Sequence, residues 1–269
     1  MCAARLHSHA PASDAVRVIN PGGASAYVVA CDHASNFLPA KFGTLGLPEA
    51  ELERHIAWDP GALPVSLALS EMLDAAVVES RISRLAIDCN RPVDAPDLVP
   101  AISETTAIPG NAALSAAARE ERIALSHRPY HDALERLIDE RLAAVLDCQL
   151  VAVHTFTPVY RGVSRPWHIG IIHDDDVRLA APLIAALREL PGVEVGVNQP
   201  YSPADRVYYT MERHARARGL PCVMIEIRND ELADAAGQRL WADRLASALS
   251  RIRADGPTTP AADAAVPAR

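Results

Sequence analysis

Short apolar segments alternate with longer amphipathic segments along most of the chain. The strand candidates are 26–31, 75–79, 84–88, 150–154, 168–172, 193–197 and 221–227. The helix candidates are 60–74, 114–147, 176–190, 203–218 and 231–253. Several strand candidates are continuously apolar, as strands covered on both faces must be. The pattern therefore predicts an α/β protein, a three-layer α/β/α sandwich with a mixed, mostly parallel sheet.

Individual residues refine the predicted helices. Ser115 precedes the longest amphipathic segment and is suited to capping its first turn. Pro129 lies inside the same segment and predicts a kink. Pro60 fits the first turn of the helix 60–74, with Asp59 before it as a candidate N-cap.

The two ends of the chain differ in composition from the rest. The N-terminal end, taken as residues 1–20, begins with a mixture of Ala, Ser, His and Pro over 1–15, and residues 254–269 are rich in Pro and Ala without a period. Neither end can bury enough apolar surface to order itself, so we expect two flexible tails. No internal repeat and no Gly/Ser linker divides residues 21–253, which are expected to form a single domain.

Composition excludes several classes of partner. The formal net charge is −8 and no basic block stands out, which argues against nucleic acid. No apolar run approaches the ~18 residues that span a bilayer. The first 25 residues lack the apolar core of a signal peptide, so the cytoplasm is the expected compartment. The five cysteines are scattered without a C-x-x-C pair, which predicts neither a disulfide framework nor a zinc knuckle.

Polar side chains accompany the ends of four predicted strands. The first strand ends in Asp32-His33, and the third runs into the segment 88–91, Asp-Cys-Asn-Arg. His154 ends the fourth, and Glu226 lies near the end of the last. Functional sites gather at the carboxyl ends of parallel strands. Polar groups beside apolar sequence are costly unless a charge or a metal pairs with them, so we expect these side chains to converge.

Two histidines and one carboxylate, with a fourth position open to water, form a catalytic zinc set. His33 and His154 are the candidate imidazoles. Asp59, Asp88 and Asp32 are the candidates for the third ligand. The alternatives are that each histidine is a hydrogen-bonded loop residue and that Asp59 caps the helix that follows it.

Glu226 lies in the apolar segment CVMIEIR, on a strand that should be buried. Carboxylates are rare in such positions unless they are paired or functional. The simplest partner is Arg228, two residues further on the same face. Arg91 offers a planar guanidinium to a substrate carboxylate, and its alternative is an ion pair with Asp88 or Asp94.

Six short segments resemble the N-formylglutamate amidohydrolase family. They are DHASNFLP, WDPGA, SRLAIDCNRP, IPGN, HTFTP and IEIRND, in that order, within about residues 27–250. The family is similar to zinc carboxypeptidases, aspartoacylases and bacterial cell-wall amidases, which share a three-layer fold with one zinc at the carboxyl edge of the sheet. The resemblance implies that 21–253 is a catalytic domain that hydrolyses a small N-acyl amino acid, by preference an N-formyl one such as N-formylglutamate, an intermediate of histidine degradation.

The resemblance also implies the zinc ligands. His33 and His154 correspond to two of them. In carboxypeptidases a Glu three residues after the first histidine is the second ligand, but Asn36 occupies that position here. The cell-wall amidases use an acid at the start of the next helix, which corresponds to Asp59. We therefore expect His33, Asp59 and His154 to bind zinc.

The remaining roles follow from the same resemblance. Glu226 would be the general base that activates water and then the acid that protonates the leaving amine. Asn90 and Arg91 would hold the α-carboxylate of the substrate. A dicarboxylic substrate needs a second cation, for which the candidates are Arg84, Arg161, Arg165 and Arg228. The alternatives are a zinc deacylase of the aspartoacylase type, a peptidase, or a metal-free ligand-binding domain.

Overall fold

The computed structural model describes residues 15–144 and 146–254, which form eleven strands and seven α-helices. The strands are β1 (Val16–Ile19), β2 (Tyr27–Cys31), β3 (Ala76–Ser80), β4 (Ile102–Ser103), β5 (Thr106–Ala107), β6 (Gln149–Phe156), β7 (Val159–Tyr160), β8 (Val163–Ser164), β9 (Ile169–Ile172), β10 (Val195–Val197) and β11 (Cys222–Arg228). The helices are α1 (Glu49–Leu52), α2 (Ala62–Leu73), α3 (Ala116–Arg122), α4 (Arg128–Ala143), α5 (Ala180–Arg188), α6 (Tyr209–His214) and α7 (Ala235–Ala254).

Seven of these strands form one sheet in the order β1-β3-β2-β6-β11-β9-β10. The central strands β3, β2, β6 and β11 run parallel to one another. The strands β1 and β9 pair antiparallel with β3 and β11, and β10 is parallel to β9. The sheet is therefore mixed and mostly parallel, as predicted. The carboxyl ends of the four central strands meet at one edge.

Helices cover both faces of the sheet. On one face α2, α5 and α7 pack on side chains such as Val151 and Ile225. On the other face α4 and α6 pack on side chains such as Leu150 and Met224. Successive side chains of β6 and β11 thus enter opposite apolar layers, which explains why these strands are apolar at nearly every position. The predicted three-layer α/β/α sandwich is confirmed.

The prediction of a strand at 84–88 was wrong. Both edges of β3 are already paired, with β1 on one side and β2 on the other. Residues 84–88 instead form turns, and the side chains of Leu85 and Ile87 pack in separate small clusters away from the sheet. The hydroxyl of Ser83 supports the turn by donating to Ala57 O at 2.8 Å and accepting from Leu85 N at 3.2 Å.

The expected tail at 1–20 was wrong for its last part. Val16–Ile19 forms the edge strand β1. It is held by antiparallel pairing with β3, and Arg17 Nη2 donates to Glu79 Oε2 at 3.0 Å. A four-residue strand carries too little periodic signal to separate it from a polar tail. The rest of the two predicted tails, 1–14 and 255–269, lies outside the described residues.

The predicted helices are shorter and more interrupted than their sequence patterns. Ser115 caps α3 as expected, because its hydroxyl accepts from Ala118 N at 3.1 Å. The interruption expected at Pro129 takes the form of a π-helical turn, Ile123–His127, immediately before α4. The predicted helix 203–218 contains only α6 as α-helix, with short 3₁₀ turns on either side. No helix in the described part of the chain is both long enough and apolar enough to cross a membrane.

Candidate active site

His33, Asp59 and His154 meet at the carboxyl edge of the sheet. His33 follows β2, His154 lies near the end of β6, and Asp59 lies in the loop before α2. His33 Nδ1 is 3.2 Å from Asp59 Oδ2, and His154 Nδ1 is 2.8 Å from the same oxygen. The two imidazole ring centroids are 5.0 Å apart. The three side chains are buried, and their ligand atoms lie within 4.8 Å of one another, so the group could hold a metal ion.

Asp59 lies in a loop and does not cap helix α2. Its backbone N–H donates to His33 O at 3.0 Å, which ties the loop to the end of β2. The helix α2 begins at Ala62, and its N-cap is Gly61 with φ 86°. A Cβ on Gly61 would lie 2.5 Å from Leu232 Cβ, so glycine is needed both for the backbone angle and for the space. The alternative reading of Asp59 as the helix cap was wrong.

The other nitrogen of each imidazole faces a further carboxylate. Asp88 Oδ1 lies 2.7 Å from His33 Nε2, and Asp32 Oδ2 lies 2.9 Å from His154 Nε2. Metal-binding histidines generally donate their outer N–H to a carboxylate, which fixes the tautomer and leaves the inner lone pair for the metal. Asp32 and Asp88 occupy this outer position beside the two Nε2 atoms, the outer nitrogens. Asp59 faces the two Nδ1 atoms, the inner nitrogens.

The inner atoms fit a cation by their chemistry. When the outer nitrogens carry the protons, two Nδ1 lone pairs and a carboxylate oxygen converge with no donor between them. The alternative is that both rings are charged. Burial opposes that charge, but Asp32 and Asp59 raise the pKa of His154 well above its usual range. For His33, burial and Arg84 are outweighed by Asp88 and Asp59, so its pKa is raised. A bound cation would take the place of these protons.

Arg84 links two of the carboxylates. Its Nη1 donates to Asp59 Oδ1 at 3.3 Å and its Nη2 donates to Asp88 Oδ2 at 2.7 Å. Asp59 therefore keeps Oδ2 for the histidines. The carboxylate of Asp32 is held in turn by Thr210 Oγ1 at 2.7 Å. The sequence indicated Arg84 only as a possible substrate-binding cation, and Thr210 belongs to no motif that could have revealed it.

Glu226 lies in β11 next to His154, its partner in the register of the two strands. Its side chain is 4% exposed, and Oε2 has no hydrogen-bond partner within the described residues. Burial raises the pKa of Glu226 to about 7, against the opposing charge of His154. A carboxyl group with this pKa can accept and release a proton near neutral pH.

One cleft of about 280 Å³ is lined by six of these side chains: His33, Asp59, Arg84, Asp88, His154 and Glu226. Its size is close to the lower limit, roughly 300 Å³, of small-molecule sites. Side chains from the β4–β5 and β7–β8 hairpins, including Ile102, Glu104, Tyr160 and Arg161, form part of its wall. The cleft therefore suits a small, polar ligand.

Arg91 and Asn90 reach the cleft from the loop after the 84–88 turns. Arg91 Nε donates to Asp97 Oδ2 at 2.9 Å and its Nη1 donates to Asn90 O at 2.8 Å, while Nη2 has no partner in the described part of the chain. The Asn90 amide donates to Val207 O at 2.5 Å and accepts from Thr210 N at 3.0 Å. Arg91 thus keeps a free donor group for a ligand, whereas the Asn90 side chain mainly holds the loop against 207–210.

Arg228 does not line the cleft. Its Nε and Nη2 donate to Asp230 and Glu231, at 2.8 and 3.2 Å. Its Nη1 donates to the backbone carbonyls of residues 165–167. Every nitrogen of the guanidinium is therefore engaged beyond the end of β11. The ion pair between Arg228 and Glu226 is therefore not formed, although Arg228 lies only two residues further along β11. A substrate-binding role for Arg228 stays a prediction.

Two histidines outside the predicted site bind the backbone of the loop 88–91. His131 Nε2 lies 2.8 Å from Cys89 O, and His127 Nε2 lies 2.8 Å from Arg91 O. Burial lowers the pKa of both rings, which are therefore neutral donors at these atoms. Their partners are backbone carbonyls, which leave no trace in a sequence motif.

Residues 25–233 match the family model of N-formylglutamate amidohydrolase. The crystal structure of gene product Atu2144 from Agrobacterium tumefaciens is 43% identical, covers 90% of this chain and 95% of that one, and superimposes with a TM-score of 0.87. The N-formylglutamate amidohydrolase from Ralstonia eutropha JMP134 is 19% identical, with coverages of 89% and 97% and a TM-score of 0.67, and so shares the fold. No curated protein matches significantly.

Proposed function

The chain belongs to the N-formylglutamate amidohydrolase family and is a hydrolase acting on a linear amide bond, and we propose that it cleaves N-acyl amino acids with the help of zinc. We expect N-formyl amino acids such as N-formylglutamate to be its preferred substrates. The observation that carries the proposal is the convergence of His33 Nδ1, Asp59 Oδ2 and His154 Nδ1 beside the buried Glu226. Two imidazoles and one carboxylate are the ligand set of a catalytic zinc site with an open position.

His33, Asp59 and His154 would hold the ion through these three atoms. When bound, zinc supplies Lewis-acid chemistry, because it lowers the pKa of water and polarises a carbonyl oxygen. The protein's own contribution is to keep the ligands deprotonated and oriented. Asp88 does so by accepting the outer N–H of His33, Asp32 does so through its negative charge beside the outer nitrogen of His154, and the outer oxygen of Asp59 is bound by Arg84.

Glu226 would move the proton. As a carboxylate it accepts a proton from the water that attacks the formyl carbon, and as a carboxylic acid it donates that proton to the leaving amine nitrogen. The products are formate and the free amino acid. Its pKa of about 7 suits both steps, because the proton gained in the first is not held too tightly for the second.

Arg91 would orient the substrate. Its Nε and Nη1 are fixed by Asp97 and by Asn90 O, so the remaining Nη2 donor is presented in a set geometry. A charge-assisted hydrogen bond from this group to the α-carboxylate would place the scissile amide between Glu226 and the three metal-binding residues.

The test is a substrate panel on protein purified without chelators. We expect about one zinc per chain, hydrolysis of N-formyl-L-glutamate, loss of activity with a chelator, and recovery with added zinc. Faster cleavage of N-acetyl amino acids or of dipeptides would assign the site to an aspartoacylase-type deacylase or a peptidase instead. Absence of bound metal together with chelator-insensitive or undetectable hydrolysis would contradict the proposal and favour a metal-free binding domain.

A further inference from the structure

Arg165 carries a buried positive charge that no carboxylate offsets. The residue is 8% exposed, and no Asp or Glu oxygen of the described residues forms an ion pair with it. Its guanidinium lies 4.5 Å from the ring centroid of Tyr160, 4.9 Å from that of Tyr201 and 5.8 Å from that of Phe156. Aromatic faces attract a cation, but they offset only part of the cost of burying one. The arrangement therefore favours the arrival of an anion nearby.

Tyr201 connects this charge to the cleft. Arg165 Nη1 donates to Tyr201 Oη at 3.2 Å, and Tyr201 lines the same cleft as Glu226. The hydroxyl oxygen thus accepts a hydrogen bond, while its own O–H has no acceptor among the described residues. Burial raises the pKa of Tyr201, so the hydroxyl keeps its proton at neutral pH. Tyr201 can therefore donate a hydrogen bond to a ligand.

The arginines that line the cleft itself, Arg84, Arg91 and Arg161, are less suited to a second anion. Arg84 is paired with two aspartates, and Arg91 is paired with Asp97. Arg161 is exposed, and its Nη2 donates to the backbone carbonyl of Glu104. Of the four cations that the sequence suggested for a second carboxylate, Arg165 combines burial, the lack of a counter-charge and a hydrogen-bonded route into the cleft.

We propose that Tyr201, backed by Arg165, binds the side-chain carboxylate of a dicarboxylic N-acyl amino acid such as an N-acyl glutamate. The inference rests on the proposed function, in which Arg91 holds the α-carboxylate. The second carboxylate accepts from the Tyr201 O–H, whose oxygen is polarised by the Arg165 guanidinium, and such charge-assisted chains strengthen one another. A cation behind the cleft wall also offsets the repulsion that a dianion meets from a protein of net charge −8.

The test compares kcat/KM for N-formyl-L-glutamate with that for N-formyl-L-glutamine, which has the same shape and no side-chain charge. We expect the wild-type protein to prefer the glutamate compound. Tyr201→Phe keeps the ring and removes only the hydroxyl. It should lower kcat/KM for the glutamate compound about tenfold or more, mainly through KM, since hydrogen bonds to charged groups are worth this much. The value for the glutamine compound should change little.

The matched control is Tyr209→Phe. Tyr209 Oη accepts from Arg213 Nη1 at the same 3.2 Å, but this pair does not line the cleft. The control should leave the glutamate-to-glutamine ratio unchanged. An equal loss on both substrates in Tyr201→Phe would overturn the inference. A preference that survives Tyr201→Phe but disappears in Arg161→Gln would overturn it as well.

The two proposals can fail separately. If the wild-type protein hydrolyses both compounds equally well, the carboxylate subsite is refuted and the proposed function stands. If it hydrolyses neither compound, the proposed function fails, and calorimetric titration with the same two compounds decides the subsite. Equal affinity for both, or a preference for the glutamate compound that Tyr201→Phe retains, would then refute it.

Discussion

His33 and His154 each lie between two carboxylates, and the position of each carboxylate defines its role. Asp59 faces both inner nitrogens, whereas Asp88 and Asp32 each face one outer nitrogen. Three chemically identical side chains are thus divided between holding a cation and orienting its ligands. Their separations along the chain are too long for a local motif to distinguish the two roles.

The first residue-scale prediction concerns metal affinity. Asp59→Ala removes the oxygen shared by both histidines and should reduce bound zinc to a small fraction of one equivalent. Asp88→Asn keeps the size of the side chain but weakens the partner of His33, and it should lower zinc affinity about 10–100-fold. Competition with a chromogenic chelator measures both.

Asp94, which is exposed and follows the loop 88–91, supplies the control. Asp94→Asn should bind zinc like the wild-type protein. The assignment of inner and outer roles is contradicted if Asp88→Asn loses the metal completely while Asp59→Ala retains it.

The second residue-scale prediction concerns proton transfer. Glu226→Gln preserves shape and removes the base, so kcat for N-formyl-L-glutamate should fall about 10²–10⁴-fold. Zinc content should stay near one per chain, since Glu226 is not among the three residues that could hold the metal. Steady-state kinetics with parallel metal analysis checks this, and a kcat equal to that of the wild-type protein would exclude Glu226 as the base.

Among the strands and helices, the sequence predicted best those segments whose own apolar pattern reflects their burial in the sheet. The strands β2, β6 and β11 were found because they are buried on both faces and therefore apolar throughout. The segment 84–88 has a similar apolar centre, Leu-Ala-Ile at 85–87, but β3 has no free edge left to pair with it. The strand β1 was missed because long-range pairing, and not its own sequence, makes it a strand. The same limit applies to the site: His33, Asp59 and His154 were predicted, but the contacts made by Arg84 and Thr210 were not.

The element-scale prediction concerns the start of α2. Gly61→Ala combines a left-handed backbone angle with a contact of 2.5 Å to Leu232 Cβ, so the loop that carries Asp59 must shift. We expect a loss of about 2–3 kcal/mol in the free energy of unfolding and weaker zinc binding. Urea denaturation and chelator competition measure the two effects.

Gly192 provides a control that has the left-handed backbone angle without the steric contact. Its φ is +72°, but nothing lies within 4 Å of the position of an added Cβ. Gly192→Ala should cost only about 1–2 kcal/mol and should leave zinc affinity unchanged. If Gly61→Ala is no worse than this control on either measure, the proposed coupling between the turn and Asp59 is wrong.

At the scale of the whole molecule, strand direction determines which residues can share the site. The four parallel central strands end at one edge and bring His33, His154 and Glu226 together, although they lie far apart in the chain. The antiparallel β9 runs the other way, so His173, which follows it, lies at the opposite edge. For the same reason Arg165, which precedes β9, lies near the carboxyl end of β11. The topology therefore assembles both the candidate metal site and the proposed carboxylate subsite.

The proposed chemistry depends on the binding of one zinc ion by the inner atoms of His33, Asp59 and His154. The most direct measurement is an anomalous diffraction map, recorded at the zinc absorption edge, from crystals of protein purified without chelators. We expect a single strong peak about 2.0–2.2 Å from His33 Nδ1, His154 Nδ1 and a carboxylate oxygen of Asp59. A zinc peak beside the outer nitrogens, a peak elsewhere in the molecule, or no peak after soaking in zinc would contradict this expectation.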